Sequence, residues 1–184
     1  MKIKFLRREI YHIFISWLMI SVAFAILYRS NFLIAFFISL FTVGIGFIIH
    51  ELSHKYFAQK FGCNAEFVAN FQMLWVSLLL AFSGFIFIAP GAVRIKGFLS
   101  KEKYGIVSLS GPLSNLVLSL VFIISNIIYP NIIAYYGALV NAIFGLFNLL
   151  PFPMFDGIKV YKWNKKLYSI SILLGLILLA LIFF

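Results

Sequence analysis

The sequence predicts an all-α polytopic membrane protein, with about five to six transmembrane helices and a membrane-re-entrant hairpin that can carry short β-strands. Hydrophobic residues make up 64% of the chain, and only five residues are acidic. Apolar stretches recur along the whole length, and basic residues lie in the short flanks between them. This composition excludes an ordinary soluble globular domain.

Six apolar stretches are close to the roughly 20 residues that a helix needs to cross a bilayer. They are Ile10 to Tyr28, Phe32 to Ile49, Phe71 to Ala89, Ile106 to Tyr129, Ile132 to Leu150, and Tyr168 to Phe184. No remaining segment is long and polar enough to form a second domain. We therefore expect residues 1–184 to be a single transmembrane core domain, without a PDZ or CBS domain.

The first stretch follows a basic segment, as a signal peptide would. It is longer than a usual signal core, and no clear small-residue cleavage site precedes Tyr28. We therefore interpret it as a retained anchor.

The second stretch ends in the motif His50-Glu51-Leu52-Ser53-His54. On a helix, two histidines four residues apart lie on one face, close enough for both imidazoles to hold one metal ion. Glu51 projects beside them, where its carboxylate can take a proton from an attacking water. Ionisable residues are costly inside a membrane span and are usually paired or functional. The alternative is that the span ends at Gly46 and that these residues are merely interfacial.

Whether the third stretch crosses the membrane decides on which side of it the later segments lie. If all six stretches crossed the membrane, the flank around Asp156 would lie on the opposite side from His50 and His54. If the segment from about Phe67 to Val93 enters and leaves on one side, every basic residue except Arg29 becomes cytoplasmic, as the positive-inside rule favours. We therefore predict five full spans and one re-entrant hairpin, with the N-terminus inside and the C-terminus outside. An ordinary third span remains the alternative.

The local sequence suits such a hairpin. Ser83-Gly84 and Pro90-Gly91 are candidate turns. The segments from Ala65 to Asn70 and from Gly91 to Ile95 have extended character and are candidate strands that bracket the hairpin.

The fourth stretch contains Gly111-Pro112-Leu113-Ser114-Asn115. Gly-Pro is typical of a helix start, and small residues around it allow close packing of another helix. Asn115 could donate a hydrogen bond to a substrate carbonyl as negative charge develops there. The alternative for Asn115, Asn126 and Asn141 is a hydrogen bond between helices.

The fifth stretch leads into the segment from Asn148 to Gly157, in which Pro151 and Pro153 cannot continue a regular helix. The backbone must therefore open at the end of this span. Asp156 follows and can supply the third metal ligand that two helical histidines lack. Taken alone, an aspartate in this position is more often a turn or capping residue.

These three motifs together resemble the site-2 proteases, which are intramembrane zinc metalloproteases of peptidase family M50. The third motif, Asn148 to Gly157, matches the pattern N-x-x-P-x-P-x-x-D-G. The resemblance implies that His50, His54 and Asp156 bind one zinc ion and that Glu51 is the catalytic base. It also implies that Asn115 and Asn148 position the substrate or the transition state. The family often has a second glycine where this chain has Ile158.

The expected partners follow from this resemblance and from charge. Substrates would be transmembrane proteins cut within or near a span, and an edge strand between Ala65 and Ile95 would pair with the opened substrate backbone. The net charge of +10 lies in flanks between spans, which favours anionic lipid headgroups on the cytoplasmic side over nucleic acid. We expect a multi-pass protein of a prokaryotic plasma membrane, with its active site towards the cytoplasm.

Three other functions remain to be weighed. A zinc-coupled or proton-coupled transporter would also keep charges inside spans, but no internal repeat is evident. A non-proteolytic scaffold could keep the metal for folding alone. A heme or quinone protein is disfavoured because His12, the one further histidine, lies beside basic residues and is expected at the interface. The single cysteine, Cys63, excludes an internal disulfide.

Overall fold

The computed structural model describes residues 3–85 and 90–183, and most of them are helical. The elements in chain order are α1 (Arg7–Leu27), α2 (Phe32–Phe41), α3 (Val43–Lys60), β1 (Asn64–Ala69), α4 (Phe71–Phe82), β2 (Gly91–Lys96), α5 (Lys101–Ile128), α6 (Ile132–Asn148), α7 (Asp156–Trp163) and α8 (Lys165–Phe183). Helix α5 lies at the centre and packs against α3, α6, α7 and α8.

Four helical segments in the described residues are long and apolar enough to cross a membrane: α1, the pair α2–α3, α5 and α8. Helices α2 and α3 are separated at Thr42, where the backbone departs from helical geometry with φ −112° and ψ −88°. The hydroxyl of Thr42 donates to the Ile38 carbonyl at 2.7 Å. Helix α6, with 17 residues, and α4, with 12, are shorter apolar helices. The described residues are therefore mostly helical, with four candidate membrane-spanning segments and a small two-stranded sheet.

The segment between the two strands leaves the sheet and returns to the same end of it. Strands β1 and β2 pair antiparallel, from Asn64 opposite Lys96 to Ala69 opposite Gly91. The Asn70 N–H donates to the Pro90 carbonyl at 2.8 Å. Helix α4 lies in between, and its 12 residues extend about 18 Å, well short of a bilayer core.

The strand predictions are confirmed to within one residue at each end. The predicted turn at Ser83-Gly84 is also present. The end of the predicted stretch at Ala89 lies outside the described residues.

Three side chains bind the edge of β1 that faces away from β2. The contacts are Lys55 Nζ to the Ala65 carbonyl at 2.7 Å, the Phe67 N–H to Glu9 Oε1 at 2.9 Å, and the Ala69 N–H to His12 Nδ1 at 3.3 Å. Lys55 and Glu9 also form a buried ion pair at 2.7 Å. His12 is 5% exposed because it packs against this strand, and its expected place at the membrane interface stays a prediction. This outer edge of β1 is therefore occupied by the protein's own side chains.

Two helix boundaries bear on the predictions. Helix α5 begins at Lys101, five residues before the predicted stretch, and Ser100 caps it by accepting from the Lys103 N–H at 3.3 Å. Pro112 therefore lies inside α5 rather than near its start, which corrects our expectation. Between Asn148 and Asp156 the chain is not helical, as the two prolines predict.

Candidate metal centre

Three predicted ligands come together between α3 and α7. Helix α3 places His50 and His54 one turn apart, and both are buried, at 3% and 8% exposure. Asp156 is the first residue of α7 and reaches them from the other side. The two Nε2 atoms are 3.0 Å apart, and Asp156 Oδ2 is 3.5 Å from that of His50 and 3.0 Å from that of His54.

The hydrogen bonds that the two imidazoles make at Nδ1 leave the lone pairs on their Nε2 atoms, which face each other. His54 Nδ1 lies 2.7 Å from the Val107 carbonyl, which can only accept, so this nitrogen carries the proton. His50 Nδ1 lies 2.6 Å from Asn115 Oδ1. In the neutral rings both Nε2 atoms therefore present lone pairs towards each other and towards a carboxylate oxygen. Such an arrangement is repulsive unless one Nε2 is protonated or a cation lies between the three atoms.

The size of the cluster fits zinc. Zinc bonds of about 2.0 to 2.2 Å in a tetrahedron separate neighbouring ligand atoms by about 3.3 to 3.6 Å, close to the separations of 3.0 to 3.5 Å found here. Two nitrogens and one oxygen are also the donor types that zinc takes in catalytic sites, where a fourth position stays open. The residues present therefore fit one zinc ion.

Gly111 allows α5 to approach the cluster. A β-carbon at this position would collide with the Nε2 atoms of His54 and His50. The small residue at the start of the second sequence motif is thus explained by the metal centre rather than by helix–helix packing alone.

Glu51 lies beside the ligands in a cavity of about 310 Å³. It is 8% exposed, and its carboxylate is within hydrogen-bonding reach of the Val93 backbone N–H. Strand β2 forms one wall of the same cavity through Gly91, Val93 and Ile95. A peptide that entered the cavity would therefore meet both the strand and the carboxylate.

The two predicted asparagines differ in position. Asn148 is half-buried and lines the cavity, and its amide donates to the Phe144 carbonyl at 3.0 Å. Asn115 is 0% exposed and lies behind His50, outside the cavity lining. The catalytic roles of both residues stay predictions, and the geometry of Asn115 favours holding His50 over contacting a substrate.

Lys159 is a site residue that the sequence analysis missed. Its ammonium group lies 2.9 Å from Asp156 Oδ1, which leaves Oδ2 for the histidines. Burial favours the neutral amine, but the attraction of Asp156 outweighs it and raises the pKa of Lys159 above its ordinary value. The spacing of three residues on one helix was the available signal.

Comparison with known proteins identifies relatives that carry zinc metalloprotease names. The chain is 41% identical to "Putative zinc metalloprotease MJ0611" of Methanocaldococcus jannaschii, over 91% of this chain and 90% of the relative. It is 30% identical to "Zinc metalloprotease MJ0392" of the same organism, over 84% of this chain and 41% of that relative.

A bacterial relative is more distant. "Putative zinc metalloprotease YwhC" of Bacillus subtilis is 26% identical, over 66% of each chain. No protein-family profile and no solved structure matches the chain. The similarity to MJ0611 spans nearly the whole length of both proteins, and His50, His54 and Asp156 form a cluster that suits one metal ion. The chain belongs to this family of zinc metalloproteases.

Proposed function

We propose that the chain is an intramembrane zinc protease of the site-2 type, which hydrolyses peptide bonds within or near the transmembrane segments of membrane proteins. The observation that carries the proposal is a cavity that holds Glu51, the three ligands and one edge of a β-strand together, at the end of a helix long and apolar enough to span a membrane. An extended backbone edge at membrane depth suits a substrate whose own helix has been opened.

Apart from the Val93 N–H, which Glu51 approaches, the backbone groups of β2 that face the cavity have no hydrogen-bond partner among the described residues, and an extended peptide can bind there. In an antiparallel pair, backbone groups alternate between pointing at the partner strand and pointing away from it. Phe67 and Ala69 direct their N–H groups to Glu9 and His12, away from β2. Their partners Val93 and Gly91 must therefore direct their backbone groups away from β1 as well.

The site-facing backbone groups thus belong to Gly91, Val93 and Ile95, the β2 residues opposite Ala69, Phe67 and Ala65. A substrate segment added as a third strand here would run past Glu51. The opposite edge of the sheet is occupied by Lys55, Glu9 and His12. Strand addition is therefore directed to the side of the sheet that holds the metal ligands.

The chemistry follows from the residues in the cavity. A zinc ion held by His50, His54 and Asp156 would supply the electrophilic assistance on which metalloproteases depend. Glu51 takes a proton from the water that attacks the peptide carbonyl, and the same proton passes to the nitrogen as the C–N bond breaks. The carboxylate is then restored. Asn148 is placed on the cavity wall where its amide can orient the substrate.

The proposed topology has five full spans and one re-entrant hairpin, with the metal centre towards the cytoplasm of a prokaryotic cell. The short α4 and the Asn70–Pro90 hydrogen bond support a segment that enters and leaves on one side. The basic flanks would then face the anionic headgroups of the cytoplasmic leaflet. A reporter fused after Lys101 should remain cytoplasmic, and its appearance on the outer face would overturn the hairpin.

Cleavage of reporters in lipid vesicles tests the function. We expect the purified, zinc-loaded protein to cut some members of a panel of single-span reporters, and mass spectrometry to place the cut within or next to the span. A chelator should stop the reaction, and restored zinc should recover it. If soluble peptides are cut while every span stays intact, the intramembrane assignment is wrong. If nothing is cut, the scaffold alternative is favoured, and zinc flux into vesicles would favour a transporter.

The same assay tests strand addition through the N–H of Ile95. Ile95→Pro removes this cavity-facing donor, whereas Ile95→Ala shortens the side chain and keeps the donor. We expect kcat/KM of the proline variant to fall about five- to tenfold below that of the alanine variant, the effect of one net hydrogen bond. Both variants should keep one zinc. Equal rates in the two variants would show that β2 does not pair with the substrate backbone.

A further inference from the structure

Three buried polar side chains from three helices form a chain of hydrogen bonds behind the metal centre. Asn141 of α6 lies 3.1 Å from Asn115 of α5, measured between Oδ1 and Nδ2. Asn115 Oδ1 lies 2.6 Å from His50 Nδ1 on α3. Both asparagines are 0% exposed, and His50 is 3% exposed. None of the three clustered ligand residues lies on α6, yet these hydrogen bonds connect α6 to the ligand His50.

Two backbone carbonyls fix the direction of every hydrogen bond in this chain. The Gly137 carbonyl lies 2.9 Å from the Asn141 amide and can only accept, so the Asn141 nitrogen faces it. Asn141 Oδ1 is then left to accept from Asn115. The Gly46 carbonyl, at 3.1 Å, likewise requires the nitrogen of Asn115.

The orientation of the Asn115 amide determines which ring nitrogen of His50 carries the proton. With its nitrogen bound to Gly46 and Asn141, Asn115 must present its oxygen to His50. An oxygen acceptor at Nδ1 requires the proton of His50 to lie on Nδ1, and the lone pair then lies on Nε2, which faces Asp156 and His54. Both amide hydrogens of Asn115 are used, so neither is left for a substrate oxyanion.

We propose that Asn141, acting through Asn115, is a positioning residue for zinc: it fixes the tautomer and ring orientation of His50. Partners in the outer sphere of a metal site commonly serve this purpose, and their loss costs about 10- to 100-fold in metal affinity. The space for the two amides depends on Gly46, where a β-carbon would collide with Asn141 Oδ1. This inference concerns metal binding and does not depend on which peptide bond is cut.

The test is the zinc affinity of Asn141→Leu, a substitution of similar size without hydrogen-bonding groups. Asn115 then loses one of the two acceptors that hold its nitrogen away from His50, in a site closed to water, and only the Gly46 carbonyl still orients its amide. We expect the zinc affinity, measured by competition with a chelator in detergent, to fall about 10- to 100-fold. At saturating zinc, most of the cleavage activity should return.

Asn126→Leu is the matched control, because Asn126 accepts from the Asn131 N–H at 3.2 Å, away from the metal centre. Its zinc affinity should equal that of the parent. Parent-like affinity in a folded Asn141→Leu variant would overturn the proposal.

A second measurement needs no variant and so does not depend on whether Asn141→Leu folds. In zinc-loaded parent protein labelled with ¹⁵N-histidine, the His50 signal should report a protonated Nδ1 and a metal-bound Nε2. The chain has three histidines, so assignment is tractable. A proton on Nε2 of His50, or zinc on its Nδ1, would overturn the proposal.

Discussion

Glu51→Gln should abolish most of the cleavage activity while leaving zinc in place. Glutamine has the size of glutamate but cannot accept and return a proton at neutral pH, so the water loses its base. Loss of a general base costs about 100- to 10,000-fold in rate. Because Glu51 is not one of the three clustered ligand residues, the variant should still bind one zinc. Rates on a single-span reporter and zinc content are measured on the same preparation.

Glu66→Gln is the matched control for this prediction. Glu66 lies on β1, and its ion pair with Lys96, at 3.9 Å, joins a half-buried carboxylate to an exposed ammonium group. The same chemical change there should leave the rate within about twofold, since surface ion pairs contribute little. If Glu51→Gln cleaved as fast as Glu66→Gln, Glu51 would not be the base.

The histidine pair, the opening of the chain before Asp156 and the strands were predictable, because they depend on local rules or on the membrane; the role of Asp156 as third ligand came from the resemblance of the three motifs. Helical spacing alone places His50 beside His54, and Pro151 and Pro153 alone require the chain to open before Asp156. The strands could be located from extended composition and from the charge argument for the hairpin. Each of these inferences needs only residues that are close in sequence, or the membrane as a reference plane.

The supporting contacts were not predictable, because they join residues that are distant in sequence. Glu9 and Lys55 are 46 residues apart, and Asn115 and Asn141 are 26 apart. An asparagine in a span indicates a hydrogen bond between helices, but the partner is decided by how the helices pack. The contact of His12 with β1 was unpredictable for the same reason, since its partner Ala69 is 57 residues away in the sequence.

Asp156→Asn should remove tight zinc binding and, with it, both activity and zinc-dependent stability. The amide keeps the volume of the side chain but replaces an anionic ligand by a neutral one, and two histidines alone do not complete a zinc site. We expect the affinity to fall by more than the roughly 100-fold that marks the loss of an outer-sphere partner. Zinc content after gel filtration in detergent provides the measurement.

Lys159→Met tests the contribution of the residue that pairs with Asp156, while Asp156 itself stays in place. It removes the ion pair to Asp156 Oδ1 but leaves Oδ2 on the metal side, so its affinity should fall by only about 10- to 100-fold. Zinc at 100 times the dissociation constant stabilises a folded protein by about 2.7 kcal/mol. Added zinc should therefore raise the melting temperature of the parent and, at higher concentration, of Lys159→Met, but not of Asp156→Asn. A parent-like shift in Asp156→Asn would mean that the third ligand lies elsewhere.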